Sequence, residues 1–142
     1  LNEGNWFSAE YDRPHTLNVV ANLKLTQRFS LSLNMDYATG RPTTIPTSVY
    51  FDHQRNGYLP LYTKRNSYRL PDNFRTDLSF NVDPSHHLTQ KVRFWMTFGA
   101  YNLLGRKNVY NVYYENFGST LKGYKLSIFG VPVPFLSINL SF

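Results

Sequence analysis

Apolar and polar residues alternate with a period of two over five stretches of the chain. These are "TLNVVANLKL" (16–25), "FSLSLNMDYAT" (29–39), "FRTDLSFNV" (74–82), "VRFWMTFGAY" (92–101) and "FLSINLSF" (135–142). A period of two puts successive side chains on opposite faces of a strand, whereas a helix would show 3.6. The pattern predicts an all-β chain of five antiparallel strands and no helix. One face collects Leu17, Val19, Ala21, Leu23, Leu25, Phe29, Leu31, Leu33, Met35 and Tyr37. It continues through Phe74, Thr76, Leu78, Phe80, Val82, Val92, Phe94, Met96, Phe98 and Ala100, and closes on Leu136, Ile138, Leu140 and Phe142. Of these 24 positions only Thr76 is polar, against 42% apolar residues in the whole chain, so the segregation is not chance.

The other face is made of Ser, Asn and Thr with a few charges, among them Asn18, Ser32, Asn34, Asp36, Arg75, Asp77, Ser79, Asn81, Arg93, Ser137 and Asn139. The free side of a soluble sheet ordinarily carries many Lys and Glu. Short neutral polar groups suit a wet, enclosed lumen. Val20, Trp95, Tyr101 and Phe135 interrupt this face, at positions suited to touching whatever fills the lumen. Strands of about nine residues at ~3.3 Å rise and ~40° tilt span roughly 23 Å, close to the ~25 Å apolar band of an outer-membrane barrel. A soluble sandwich would alternate in the same way with its apolar face turned inward, so alternation alone favours neither.

The connections favour the membrane. The links 26–28 and 83–91 are short, while 40–73 and 102–134 are long. Strict alternation of short and long is the habit of transmembrane barrels, with short periplasmic turns and long extracellular loops. Five strands cannot close such a barrel, whose smallest members have eight. The expectation is therefore a barrel portion spanning 1–142 whose partner strands lie upstream. The opening residues "LNEGNWFSAEYDRPH", with no initiator Met, basic n-region or apolar core, predict a chain that continues further.

Composition changes this picture little. With no Cys, disulfides and thiolate metal sites are excluded. No apolar run reaches the ~20 residues of a membrane helix. A net charge of +6 invites a nucleic-acid reading, through a soluble five-stranded barrel of the OB type. Against it, the aromatics share the face of Leu and Val, and a short turn stands where that fold places a helix. The charge falls instead in the long links, at Arg41, Arg55, Lys64, Arg65, Arg69, Arg106, Lys107, Lys122 and Lys125, and never on the apolar face.

Four segments carry a family resemblance. "YDRPHTLNVVANLKL" (11–25), "YRLPDNFRTDLSFNV" (68–82), "YNLLGRKNVYNVYYE" (101–115) and "GYKLSIFGVPVPFLSINLSF" (123–142) resemble, in order, the last strands of TonB-dependent outer-membrane receptors. The resemblance implies a twenty-two-stranded barrel in the bacterial outer membrane with an N-terminal plug, importing a scarce nutrient (siderophore, metal chelate, glycan or peptide) on energy from a TonB complex. This chain would supply about the last five strands, without plug or TonB-contacting box. A porin or adhesin barrel is the nearest alternative.

Several residues follow as candidates. Leu136, Ile138, Leu140 and Phe142 resemble the C-terminal signal read by the barrel-assembly machinery, an amphipathic edge strand open to β-augmentation. Tyr50, His53, Arg55, Tyr58, Tyr62 and Arg65 mix aromatic and basic groups suited to ligand contact, or to a loop packed on its own tyrosines. Arg75, Asp77 and Arg93 are expected to face the lumen or plug. Trp6, Tyr37, Tyr101, Tyr110, Tyr113 and Tyr114 suit aromatic girdles. His86 and His87 diverge in an extended turn, and no carboxylate recurs at ligand spacing. No catalytic, metal or cofactor site is expected, and no enzyme. The expected partners are outer-membrane lipids, the assembly machinery, the plug, the TonB complex and a surface lipoprotein, with no nucleic acid.

Overall fold

The computed structural model describes residues 4–84 and 93–141. Its strands are β1 (Thr16–Lys24), β2 (Phe29–Ala38), β3 (Pro42–Thr43), β4 (Ser48–Asp52), β5 (Gly57–Leu61), β6 (Tyr68–Arg69), β7 (Asn73–Val82), β8 (Arg93–Tyr101), β9 (Val109–Phe117), β10 (Thr120–Ser127) and β11 (Val133–Ser141). No α-helix occurs among the described residues. The chain is all-β, its sheets are antiparallel, and none of them closes.

The chain divides into two units. The first is a five-stranded sheet in the order β1-β2-β7-β8-β11. Chain order and spatial order agree once the long links are set aside, so the sheet is an up-and-down meander. Its register keeps the two faces apart. Leu78, Phe80 and Val82 lie opposite Ala100, Phe98 and Met96, and Leu136, Ile138 and Leu140 lie opposite Phe98, Met96 and Phe94. Residues directly opposed in an antiparallel pair share a face, so these side chains form continuous apolar rows. Phe80 and Phe98 stack within them, ring centroids 5.6 Å apart.

No layer of the described chain covers this face. Leu136, Ile138 and Leu140 are 63%, 56% and 62% exposed, and Leu17 and Leu23 at the other edge of the sheet are similar. Thr76, the single polar member, is buried. The backbone N–H of Leu103, in the turn after β8, donates to its carbonyl at 2.7 Å. β1 and β11 are edge strands, each with one side unpaired. The β1–β2 turn is closed by the N–H groups of Leu25 and Thr26 donating to Phe29 O, and Thr26 Oγ1 accepts from the N–H groups of Arg28 and Phe29. Both long links leave the sheet at the opposite end from this turn.

The second unit is built from those links and residues 4–15, and here the structure adds what the alternation did not predict. The links are folded into three two-stranded ribbons, β3/β6, β4/β5 and β9/β10. β4 and β5 turn through 53–56, where Asn56 takes a positive φ of 48° before Gly57, and Asp52 Oδ1 accepts from the Gln54 N–H. β9 and β10 pair tightly, with Phe117 opposite Thr120 around Gly118 and Ser119. Gly118 has φ +61°, the sign a two-residue hairpin wants at its first turn position.

Candidate functional site

Polar and aromatic groups gather on the polar face of the sheet and on the ribbons of the links. At the long-link end of the polar face, Arg75 Nε donates to Asp77 Oδ1 at 2.8 Å, and the Arg75 guanidinium lies 5.3 Å over the Tyr101 ring. Tyr101 in turn stacks on Phe135 at 4.5 Å. The same Asp77 oxygen accepts from the backbone N–H of Asn102 at 2.9 Å. Asn102 is 5% exposed and left-handed, φ 50°, a conformation Asn tolerates better than most residues. Its side-chain amide donates to the carbonyls of Phe129 at 2.6 Å and Arg106 at 3.1 Å, closing the two ends of the second long link against each other. Asn108 completes the clasp. Its side chain accepts from Phe74 N–H at 3.0 Å and donates to Phe74 O at 2.9 Å, as a neighbouring strand would.

Further along this face Asn18 and Asn34 both donate to the Asp36 carboxylate, and Thr97 Oγ1 donates to Asn81 Oδ1 at 2.6 Å. At the turn end the face hollows into an open concavity of about 710 Å³, whose lining includes Lys24, Arg28, Ser30, Asn81, Trp95 and Thr97. Arg93 stands at that end, opposite Ser141. Of the three residues expected to face a lumen, then, Arg75 and Asp77 pair at one end and Arg93 lies at the other. All three are on the polar face, but they do not form one cluster.

The first long link narrows to a neck. Gly40 packs so closely on the backbone just after β6 that a Cβ added there would lie 1.6 Å from the Leu70 carbonyl oxygen. Its N–H donates to Asp72 Oδ1 at 3.0 Å, and Leu70 N–H donates to Arg41 O at 3.0 Å. Ala38, Pro42 and Leu70 are buried here, and Ala38 and Leu70 are the buried apolar core of the described residues.

The residues expected to contact ligand are divided by the β4/β5 ribbon. Phe51 lies opposite Tyr58, with rings 5.2 Å apart, and His53 meets Phe51 edge-on at 5.0 Å. Tyr50 lies opposite Leu59, on the other face. Arg55 reaches into solvent at the tip, 3.8 Å from Asp52, and the Arg65 guanidinium lies 5.3 Å from the Phe7 ring centroid. Tyr62 and Tyr68 both lie near Tyr114. Burial first, and then these neighbouring phenols, raise the Tyr114 pKa above its ordinary value. Tyr114 also lies across Gly123 on the paired strand, where a Cβ would meet its ring at 2.8 Å. On the opposite face of β9/β10, Tyr113 stacks on Tyr124 at 5.3 Å.

Leu136, Ile138 and Leu140 lie on the uncovered face of edge strand β11, while Phe142, His86 and His87 lie outside the described residues. Reasoning from alternation missed Asn102, Asn108 and Gly40. The available signal was local: an Asn ahead of the Leu-Leu-Gly turn, and Gly40 ahead of Arg41-Pro42. No known protein family, curated protein or solved structure matches the chain.

Proposed function

We propose that the chain is the C-terminal portion of a bacterial outer-membrane β-barrel, of the kind that takes up a scarce nutrient with TonB-derived energy. The observation that carries this reading is the uncovered apolar face, held in register across β7, β8 and β11 and exposed at both edges of the meander. In water such a surface is a liability, because exposed patches of this extent mark an interaction site and open edges invite aggregation. Against acyl chains it is the required outer wall, and two free edges are what further strands would pair with. Exits of both long links at one end of the sheet, and of the β1–β2 turn at the other, support the same reading. The transporter rather than porin or adhesin role rests on the resemblance of the four segments.

Within this reading Leu136, Ile138, Leu140 and Phe142 act as the assembly signal. The Phe51, His53 and Tyr58 side of the β4/β5 ribbon is the ligand-facing candidate, with Tyr50 turned away from it. The test uses the full-length protein in its cell. Expected outcomes are fractionation with the outer membrane, protease cleavage of the 40–73 link on intact cells, and nutrient uptake that stops when the proton gradient is collapsed. Recovery in a soluble fraction would overturn the membrane assignment. Uptake indifferent to the gradient would leave the barrel and remove the TonB role.

A further inference from the structure

Residues 4–14 run across the first long link, and their attachments are nearly all charged or polar. Arg41 Nη1 donates to Glu10 Oε1 at 2.6 Å. Arg69 holds Asp12 twice, through the carboxylate at 2.7 Å and the backbone carbonyl at 2.9 Å. Asn66 Nδ2 donates to Ser8 O at 2.7 Å. Apolar burial adds little. Trp6 is 101% exposed and Tyr11 87% exposed; Phe7, at 38%, is the most covered of these aromatic side chains, with the Arg65 guanidinium 5.3 Å from its ring centroid.

The ground beneath is of another kind. Arg69 also donates to Gly40 O at 2.8 Å, which ties it to the neck where Ala38, Pro42 and Leu70 are buried. The second Arg41 nitrogen reaches Tyr110 O in the second long link at 3.5 Å. Two arginines therefore join three separate stretches of chain, and the carboxylates of one of those stretches are half in water. Partly exposed ion pairs contribute little each and weaken with salt, whereas a buried neck does not. Segments held with few apolar contacts are drawn from the low-stability end of a structure and open alone.

We infer that residues 4–14 form an ion-paired strap that opens and closes over a rigid neck, with Glu10 and Asp12 as its latch and Arg41 and Arg69 as its fixed posts. Opening releases both guanidiniums from their carboxylates, leaves Arg69 on Gly40 O and loosens the contact of Arg41 with Tyr110 O, so the strap's state is passed to both long links. The inference concerns the link unit alone and holds whether or not the sheet lies in a membrane.

The test follows two signals in the full-length protein, in the detergent or lipid where it is folded. Chymotrypsin cleavage after Tyr11 reports the strap, and hydrogen exchange at the Leu70 amide, bonded to Arg41 O, reports the neck. Raising salt from low to about molar levels is expected to speed cleavage about three- to tenfold, the range that two half-exposed pairs can give. Neck exchange should not change. Glu10→Gln with Asp12→Asn, which keeps size and removes charge, should give the fast rate at all salt concentrations. A wild-type rate indifferent to salt, or a double variant that cleaves like wild type, would overturn the strap. So would neck exchange that rises in step with cleavage, since the segment would then be part of the folded body.

Discussion

Asn102 shows how much one residue can carry. Its backbone N–H serves Asp77, its amide serves two link carbonyls, and its φ of 50° penalises most replacements. Asn102→Ala removes the amide and keeps the strained φ, at an expected cost of about 2–4 kcal/mol, from two orphaned carbonyls and a left-handed alanine. Asn102→Gly loses the same bonds but relaxes the φ, and should recover about 1 kcal/mol. Denaturant unfolding of the three proteins in a common detergent checks the order; equal losses for Ala and Gly would show that the backbone conformation contributes nothing. Tyr114 offers a second reading at this scale. Its pKa is raised, so the folded state keeps the phenol protonated more readily than the unfolded chain does. That stability is whole below the ordinary phenol value of ~10 and fades as pH climbs through the raised one. Tyr114→Phe should remove this alkaline component, seen as a flatter melting temperature against pH above ~10 than in the wild type.

At the scale of elements, the sheet was largely written in the sequence and the link unit was not. A strand with one apolar face repeats its signal over four or five positions, and Leu136, Ile138 and Leu140 took the places that their alternation demanded. β3 and β6 are two residues each and can show no period at all. They form because Gly40 allows a close approach and Arg69 and Asp72 bind across it, which only the fold brings together. The β4/β5 ribbon did have a local mark in Asn56-Gly57, a dipeptide suited to hairpins, but Tyr50 and Tyr58 read alike in the sequence and were parted by register. The strands themselves give a test of what their faces meet. Ile138→Arg and Asn139→Arg place one charge on neighbouring positions of β11, on opposite faces. If acyl chains cover the apolar face, Ile138→Arg costs ~2–4 kcal/mol of stability in lipid vesicles, and Asn139→Arg well under 1 kcal/mol. Similar small effects for both would place water on both sides of the sheet.

For the whole molecule the deciding quantity is surface. Prolines aside, the buried apolar residues among those described are Ala38 and Leu70, and neither belongs to the apolar rows of the sheet. Hydrophobic burial normally offsets the ordering of the backbone, at about 1–2 kcal/mol per residue, and this sheet buries too little by itself to do so. The missing contribution must come from whatever covers Leu17, Leu23, Leu136, Ile138 and Leu140. The 142-residue chain alone should therefore show no cooperative thermal transition in plain buffer, and should associate through its uncovered face and free edges. Micelles supply an apolar surface without supplying strands. In them the β signal in circular dichroism should grow, and association should continue through β1 and β11 until partner strands are provided. Size-exclusion with light scattering, with and without detergent, separates the two causes. A monodisperse chain that unfolds cooperatively in buffer would mean that the apolar rows are covered by the chain itself, and the membrane reading would fall with them.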